Sequence, residues 1–288
     1  MGTAGKPVWL RKKFSPLGRI PTRQILGEAN LHTVCEEACC PNLGECFSKG
    51  VATFLILGKT CTRNCHFCAV EHGCPDTPDP KEPQGVALAV KKMGLSYVVI
   101  TSVTRDDLAD GGASVFAQTI RSLQTVDQNI KIEVLIPDFK GQRDPLAEVL
   151  RANPTILGHN METVSRLYPL VRLQADYQRS LDLIKESKKI NPQIWVKSGI
   201  MLGLGETVDE VTDLLHDLKK NDCDFITIGQ YLQPRLDLLP VARYVPPEEF
   251  EAYRLKGIEM GFKAVASGPF IRSSYNALEL FETRNADQ

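Results

Sequence analysis

The sequence predicts an α/β protein, a partial (β/α)6 barrel of parallel strands with N-terminal and C-terminal extensions covering the open face. Three observations carry this. Six short apolar runs, at 53–57, 97–100, 130–136, 155–157, 194–196 and 225–228, have the length and continuity of strands buried on both faces. The stretches between them place apolar residues three or four apart, on one helical face. Polar residues then follow the runs, and in barrels of this kind the chemistry gathers at the C-terminal ends of the strands.

Taken in order, residues 1 to about 30 carry Lys6, Arg11, Lys12, Lys13, Arg19 and Arg23 among prolines and glycines with little periodicity, as would a solvated arm or one that wraps the body or meets an acidic partner. The helices between the runs are marked by Val86, Val90 and Met93, by Val115, Phe116, Ile120 and Leu123, by Leu146, Val149 and Leu150, and by Leu181 and Ile184. A fifth carries Val208, Val211, Leu214, Leu215 and Leu218, and has the clearest start, because Thr207 and Glu210 form a capping box. A further helix is expected from Pro246 and Pro247 to Gly261, packing through Phe250 and Ile258, with proline in its first turn and glycine at its end. A last strand over 262–266 and the tail GPFIRSSY complete the chain. The expected division is 1–50, 51–245 and 246–288.

With 288 residues, 43% hydrophobic, there is ample material for a packed core, and a net charge of -1 gives no basic field for nucleic acid. No apolar run approaches the roughly 18 residues that span a bilayer, and the N-terminus lacks the apolar core of a signal peptide. A cytoplasmic monomer of bacterial type is expected, with an organelle matrix left open. Of the nine cysteines only Cys223 lies outside 35–74, a clustering that suits metal ligation in a reducing compartment better than disulfides.

The first run leads directly into CTRNCHFC, with Cys61, Cys65 and Cys68 in one short loop. Three thiolates hold three irons of a 4Fe-4S cube and leave the fourth open for a small molecule. A closed zinc site would want four protein ligands, and His66 is expected to point away. Upstream, CEEACCPNLGEC offers Cys35, Cys40 and Cys46 for a second cube, although Cys39 suits the spacing as well as Cys40 does. Cys74 and Cys223 read as bystanders.

The polar strand ends supply Thr101, Ser102, Thr104, Arg105, Asp106 and Asp107, then Asp138, then His159 and Asn160, then Lys197 and Ser198, then Gln230 and Tyr231. The segment GIMLGLGE ahead of Thr207 fits either a tight strand-to-helix turn or a backbone that approaches an adenosine closely. Asp110, Gly111 and Gly112 carry the same two readings. His32, His72, His159 and His216 are expected to be structural or solvent-facing.

CxxxCxxC with Phe67 just before its last cysteine resembles the signature of the radical S-adenosylmethionine enzymes. Together with CEEACCPNLGEC and the C-terminal RSSYNA it is closely similar to the lipoyl synthase family, over about residues 20 to 277. The resemblance implies that a cluster on Cys61, Cys65 and Cys68 binds and cleaves S-adenosylmethionine, with Phe67, Ser102, Asn160, Gly203, Gly205 and Glu206 as cofactor contacts. It implies an auxiliary 4Fe-4S cluster on Cys35, Cys40 and Cys46, Cys40 rather than Cys39 fitting the family spacing, completed by Ser274 in preference to Ser273. The implied reaction inserts two sulfurs from that cluster at C6 and C8 of an octanoyl chain held on a lysine of a lipoyl carrier domain. Such domains belong to 2-oxoacid dehydrogenase subunits or the glycine-cleavage H protein. A reducing electron donor and an iron-sulfur carrier that rebuilds the cluster are the other implied partners. Arg272 would orient the serine or be an edge cation, and Arg105 and Asp106 are candidates for contacts to cofactor or substrate. An iron-sulfur carrier or a zinc-stabilised scaffold is the alternative of another class.

Overall fold

The computed structural model describes residues 6–11 and 20–283. Among them, β1 (His32–Thr33) pairs antiparallel with β2 (Thr53–Ile56), and two short strands, β3 (Thr60–Cys61) and β4 (Glu71–His72), form a separate parallel pair. From β2 the main sheet runs in parallel through β5 (Tyr97–Ser102), β6 (Lys131–Leu135), β7 (Ile156–Gly158), β8 (Trp195–Leu202), β9 (Phe225–Gln230) and β10 (Ala264–Gly268). Each parallel strand lies beside its predecessor, as strand-helix-strand units require. β1 and β10 are the two edges, so the barrel is open.

All six expected strands are present, and the last-strand reading becomes a seventh parallel strand shifted two residues along. At the N-terminus the described residues favour the arm that wraps the body over the solvated one. Residues 20–28 form helix α1 (Ile20–Glu28), which buries Leu26 and ties the Thr22 hydroxyl to the Phe47 carbonyl at 3.1 Å. Arg23 pairs with Glu36, while Lys12, Lys13 and Arg19 lie outside the described residues. Two four-to-six-residue helices follow, α2 (Val34–Glu37) and α3 (Leu43–Ser48). Thr33 caps α2 by accepting the Glu36 N–H, which sets Cys35 in its first turn, buried.

Helices α4 (Glu82–Met93), α5 (Ala113–Val126) and α6 (Arg143–Arg151) bury the apolar faces read from the sequence. After the short α7 (Tyr168–Val171), the helical layer continues with α8 (Tyr177–Ile190), α9 (Val208–Lys220) and α10 (Pro247–Glu259). The capping box at α9 is complete, Glu210 accepting the Thr207 N–H at 2.8 Å while Thr207 accepts that of Glu210. Two face assignments change. Val208 is 54% exposed, because the first residue of α9 precedes the turn that meets the sheet, and Ile258 is 40% exposed, Phe250 and Tyr253 carrying the α10 contact instead.

β8 runs to Leu202, so Lys197 and Ser198 lie inside the strand rather than beyond its end. Lys197 has a local reason to be there: its ammonium sits 2.8 and 3.1 Å from the two oxygens of Glu133, which also accepts the Tyr97 hydroxyl, and both charges are buried. A buried pair of this kind is tolerated only when its hydrogen bonds are made. Beneath it, Tyr97, Val99, Ile156, Phe225 and Ala264 pack against Ala277, Leu280 and Phe281 of the final helix α11 (Ala277–Thr283). That helix closes the floor of the barrel and leaves the opposite end, where the strands terminate, for a site. Among the described residues no helix is long and apolar enough to cross a membrane.

Candidate active site

Above the floor, Gly158, Gly199, Gly229 and Gly268 occur on four successive strands. Two of them are required by close approach. A Cβ at Gly199 would lie 2.8 Å from both the Asn160 side-chain oxygen and the Thr227 hydroxyl, and one at Gly229 would lie 2.1 Å from the Ile271 carbonyl. Missing side chains on the inner face thus admit the loop after β10, which carries Arg272, Ser273 and Ser274. They also leave a cavity of about 330 Å³, within the range of small-molecule sites.

Two groups of thiols reach this space from different elements. Cys61, Cys65 and Cys68 come from the loop after β2, and Cys35, Cys39 and Cys40 from α2 and the turn beyond it, with Ser273 and Ser274 also on the wall. Leu57 and Gly58 adopt left-handed backbone at the turn out of β2 and swing the first loop inward. The sulfur of Cys61 receives N–H groups from Arg63 at 3.4 Å and Thr104 at 3.3 Å. Cys46 is not on the wall, but it and Cys40 are near enough to Cys35 to raise its pKa.

Burial holds three of these thiols, Cys35, Cys65 and Cys68, protonated in the free chain. It pushes Cys68 and Cys35 up to about 12, the latter against a hydrogen bond from the Thr53 backbone, and it raises Cys65 against the charges of Arg172 and Arg63. Iron supplies the charge that removes such protons. Among the described residues no three His, Cys, Asp or Glu side chains gather tightly enough to hold a single metal ion. A four-iron cube holds its thiolates further apart than one ion does, and two sets of three cysteines fit two such cubes.

The other expected site residues divide. Phe67, Ser102 and Asn160 line the cavity, and Ser102 brings a buried hydroxyl without a protein partner. Asn160 donates to Glu162 at 2.9 Å and to the Ser273 hydroxyl at 3.4 Å. Gly203, Gly205 and Glu206 are not on the wall. They build the tight turn from β8 to α9, with both glycines left-handed and the Glu206 carboxylate accepting the Gly203 and Leu204 N–H groups. Asp110 likewise caps its own turn through Gly112 and Ser114. Arg105 folds back onto Asp107 and the Leu57 carbonyl, and Asp106 is taken by Arg63. Cys74 is exposed and Cys223 is buried beside the Phe225 carbonyl.

Sequence reasoning missed Glu162 and Arg172, which both line the cavity. Glu162 follows Asn160 by two residues in a left-handed turn, and burial raises its pKa against the pull of Arg172. Arg172 donates to the carbonyls of Asn160 and Met161 and to the Tyr168 hydroxyl. Arg272 hydrogen-bonds the Ile271 carbonyl, and burial lowers its pKa against the pull of Cys40 and Glu162.

A family model described as the Radical SAM superfamily matches residues 55–218. The lipoyl synthase of Geobacter sp. (strain M21) is 51% identical over 280 residues, covering 97% of this chain and 96% of that one. That of Caldicellulosiruptor bescii is 54% identical over 273 residues, covering 94% of each. The chain belongs to the lipoyl synthase family. Likeness of fold alone extends to HydG, a hydrogenase maturase, at a TM-score of 0.59 and 15% identity over 73% of this chain and 50% of that one. Methylornithine synthase gives 0.55 and 16% over 70% and 60%. Lipoyl synthases are radical enzymes that use 4Fe-4S clusters and S-adenosylmethionine, and the two thiol groups described above match that cofactor requirement in number and chemistry.

Proposed function

We infer that this lipoyl synthase inserts sulfur at C6 and C8 of an octanoyl-lysine on a lipoyl carrier domain, with Cys61, Cys65 and Cys68 holding the cofactor-cleaving cluster and Cys35, Cys40, Cys46 and Ser274 holding the auxiliary one. The observation that carries this reading is the convergence of Cys61, Cys65 and Cys68, of Cys35 and Cys40, and of the Ser273–Ser274 pair on one cavity. In this division 1–50 brings the auxiliary thiols, 51–245 the six expected barrel strands, and 246–288 the seventh strand and the serine beyond it.

Saturated carbons offer no acidic hydrogen, so no base in the cavity could begin the reaction. When bound, the two clusters and S-adenosylmethionine supply a 5'-deoxyadenosyl radical and a sulfide. The chain's own residues position and enclose. Leu55, Val103, Leu135, Ile136 and Met201 give the wall apolar surface suited to an eight-carbon chain. Asn160 engages Ser273, which favours Ser274 as the free hydroxyl. Cys40 and Cys46, and not Cys39, lie near enough to Cys35 to raise its pKa by charge repulsion, which favours Cys40 as its neighbour in the auxiliary set. A reducing electron donor, an iron-sulfur carrier for rebuilding and a cytoplasmic location complete the proposal.

The test is anaerobic reconstitution followed by incubation of the reduced enzyme with S-adenosylmethionine and an octanoyl-lysyl peptide. About eight irons per chain and a peptide carrying two added sulfurs by mass spectrometry are expected. Full iron loading with cofactor cleavage but unmodified peptide would overturn the sulfur-insertion reading.

A further inference from the structure

Between the first two thiols of the cofactor-cleaving loop stands Arg63, an arginine that points down into the protein. Its side chain is 5% exposed, and it spans two carboxylates: Nε and Nη2 meet the two oxygens of Asp106 at 2.7 and 3.0 Å, and Nη2 also meets Asp138 at 2.7 Å. Asp138, fully buried just beyond β6, has Arg179 Nε 3.0 Å from its other oxygen. Thr62 tightens the same seam, its hydroxyl donating to the Thr104 carbonyl at 2.9 Å and accepting the Asp106 N–H at 3.0 Å. The stretch stitched down in this way includes Thr104, whose N–H reaches the Cys61 sulfur.

The geometry points to Arg63 as a positioning residue that sets the reduction potential of the cluster on Cys61, Cys65 and Cys68, with Asp106 as its counterweight. This rests on the assignment of those thiols to the cofactor-cleaving cluster. Hydrogen bonds to cluster sulfurs and nearby net charge are two of the levers a protein has on such a potential. Arg63 operates both. It ties the ligand loop to the stretch after β5, so that the Arg63 and Thr104 amides both donate to Cys61, and its charge is the one borne on the ligand loop itself. Arg63, Arg179, Asp106 and Asp138 sum to zero, so removing any one leaves a net charge whose sign depends on which was removed. A staple that only held the loop would have no such sign. A lysine could keep the charge but not the fork that spans two carboxylates.

The experiment is an anaerobic redox titration of the reconstituted full chain, following the electron paramagnetic resonance signal that changes when S-adenosylmethionine is added. Arg63→Gln removes a cation and is expected to lower the midpoint so that the reduced-to-oxidised ratio at a fixed potential falls at least tenfold, about 59 mV for one electron. Asp106→Asn removes an anion and is expected to raise it. Arg63→Lys, keeping the charge, is expected to recover at least half of the Arg63→Gln shift. If Arg63→Gln fails to hold iron, the sign for Asp106→Asn decides. Midpoints that stay put, or that fall in both Arg63→Gln and Asp106→Asn, would overturn the proposal. An unsubstituted chain with no S-adenosylmethionine-responsive signal would instead overturn the cluster assignment.

Discussion

Asn42 donates its side-chain amide to the backbone carbonyl of Phe270 at 2.7 Å, across 228 positions of sequence. It joins the segment that carries Cys35, Cys40 and Cys46 to the loop that carries Ser274, and Tyr275 repeats the link by donating to Glu45 at 2.8 Å. An auxiliary cluster spanning both segments would lose its own tie whenever its sulfide was taken. These protein contacts would hold the segments together without it. Asn42→Ala is expected to cost about 1–3 kcal/mol in urea unfolding and to bring iron toward half its loading, the S-adenosylmethionine-responsive signal being retained. Loss of both clusters together would show that the link supports the whole barrel rather than this seam.

Gly229 tests the same loop from below. Its missing Cβ is what lets the Ile271 carbonyl lie on β9, and the Arg272 guanidinium is 3.1 Å from the same point. Backbone cannot yield as a side-chain tip can, so Gly229→Ala is expected to lift the Arg272–Ser274 stretch away from the cavity. Cofactor cleavage measured as 5'-deoxyadenosine should stay within about threefold of the parent, while lipoyl product falls at least tenfold. Equal losses in both assays would mean that the substitution disturbs the barrel itself.

The sequence patterns that proved legible are those set locally. Runs buried on both faces showed the strands because most residues in them had to be apolar, and cysteine spacing showed the Cys61, Cys65 and Cys68 group because its thiols share one short loop. What stayed hidden was set by folding. The two-residue β1 has no period to detect, and α1 is too weakly amphipathic to stand out from an arm. Lys197 looked like a strand end because its partner, Glu133, is 64 residues away. Glu162 and Arg172 reach the cavity only because a left-handed turn and a short helix bring them back, and Arg63 was passed over as a residue between cysteines although it carries the loop's deepest contacts.

His159 gives a pH signature. Its ring Nδ1 lies 2.9 Å from the Ile136 carbonyl, and only an Nδ1–H can satisfy that oxygen, so Nδ1 is the donor. Burial, reinforced by the charge of Arg172, lowers its pKa from 6.5 to about 4. The unfolded chain therefore takes up a proton below about pH 6.5 that the folded chain refuses until about 4, and stability from this residue is present above that window and lost on descending through it. Between pH 7.5 and 5 the loss is about 2 kcal/mol. His159→Gln is expected to flatten the decline in urea midpoint over that range, whatever its effect at pH 7.5, and parallel declines would show that the ring is charged or hydrated in the folded state.

Phe281 separates stability from chemistry in the opposite sense to Gly229. It lies on the floor, its ring 6.2 Å from that of Tyr97 and 6.5 Å from that of Phe225, edge-on to the latter. The cavity wall draws on the next residues along the same strands, Thr101 on β5 and Thr227 and Gly229 on β9. Between the two levels the Lys197–Glu133 pair holds β6 to β8 across β7, so a hole below should not propagate upward while that pair is intact. Phe281→Ala is expected to cost about 3–5 kcal/mol, the usual toll of emptying a phenylalanine site, with iron content and product per enzyme near the parent's well below the melting temperature. A drop in sulfur insertion matching the drop in stability would mean that the floor and the site move as one body, and that α11 belongs to the catalytic apparatus rather than to its foundation.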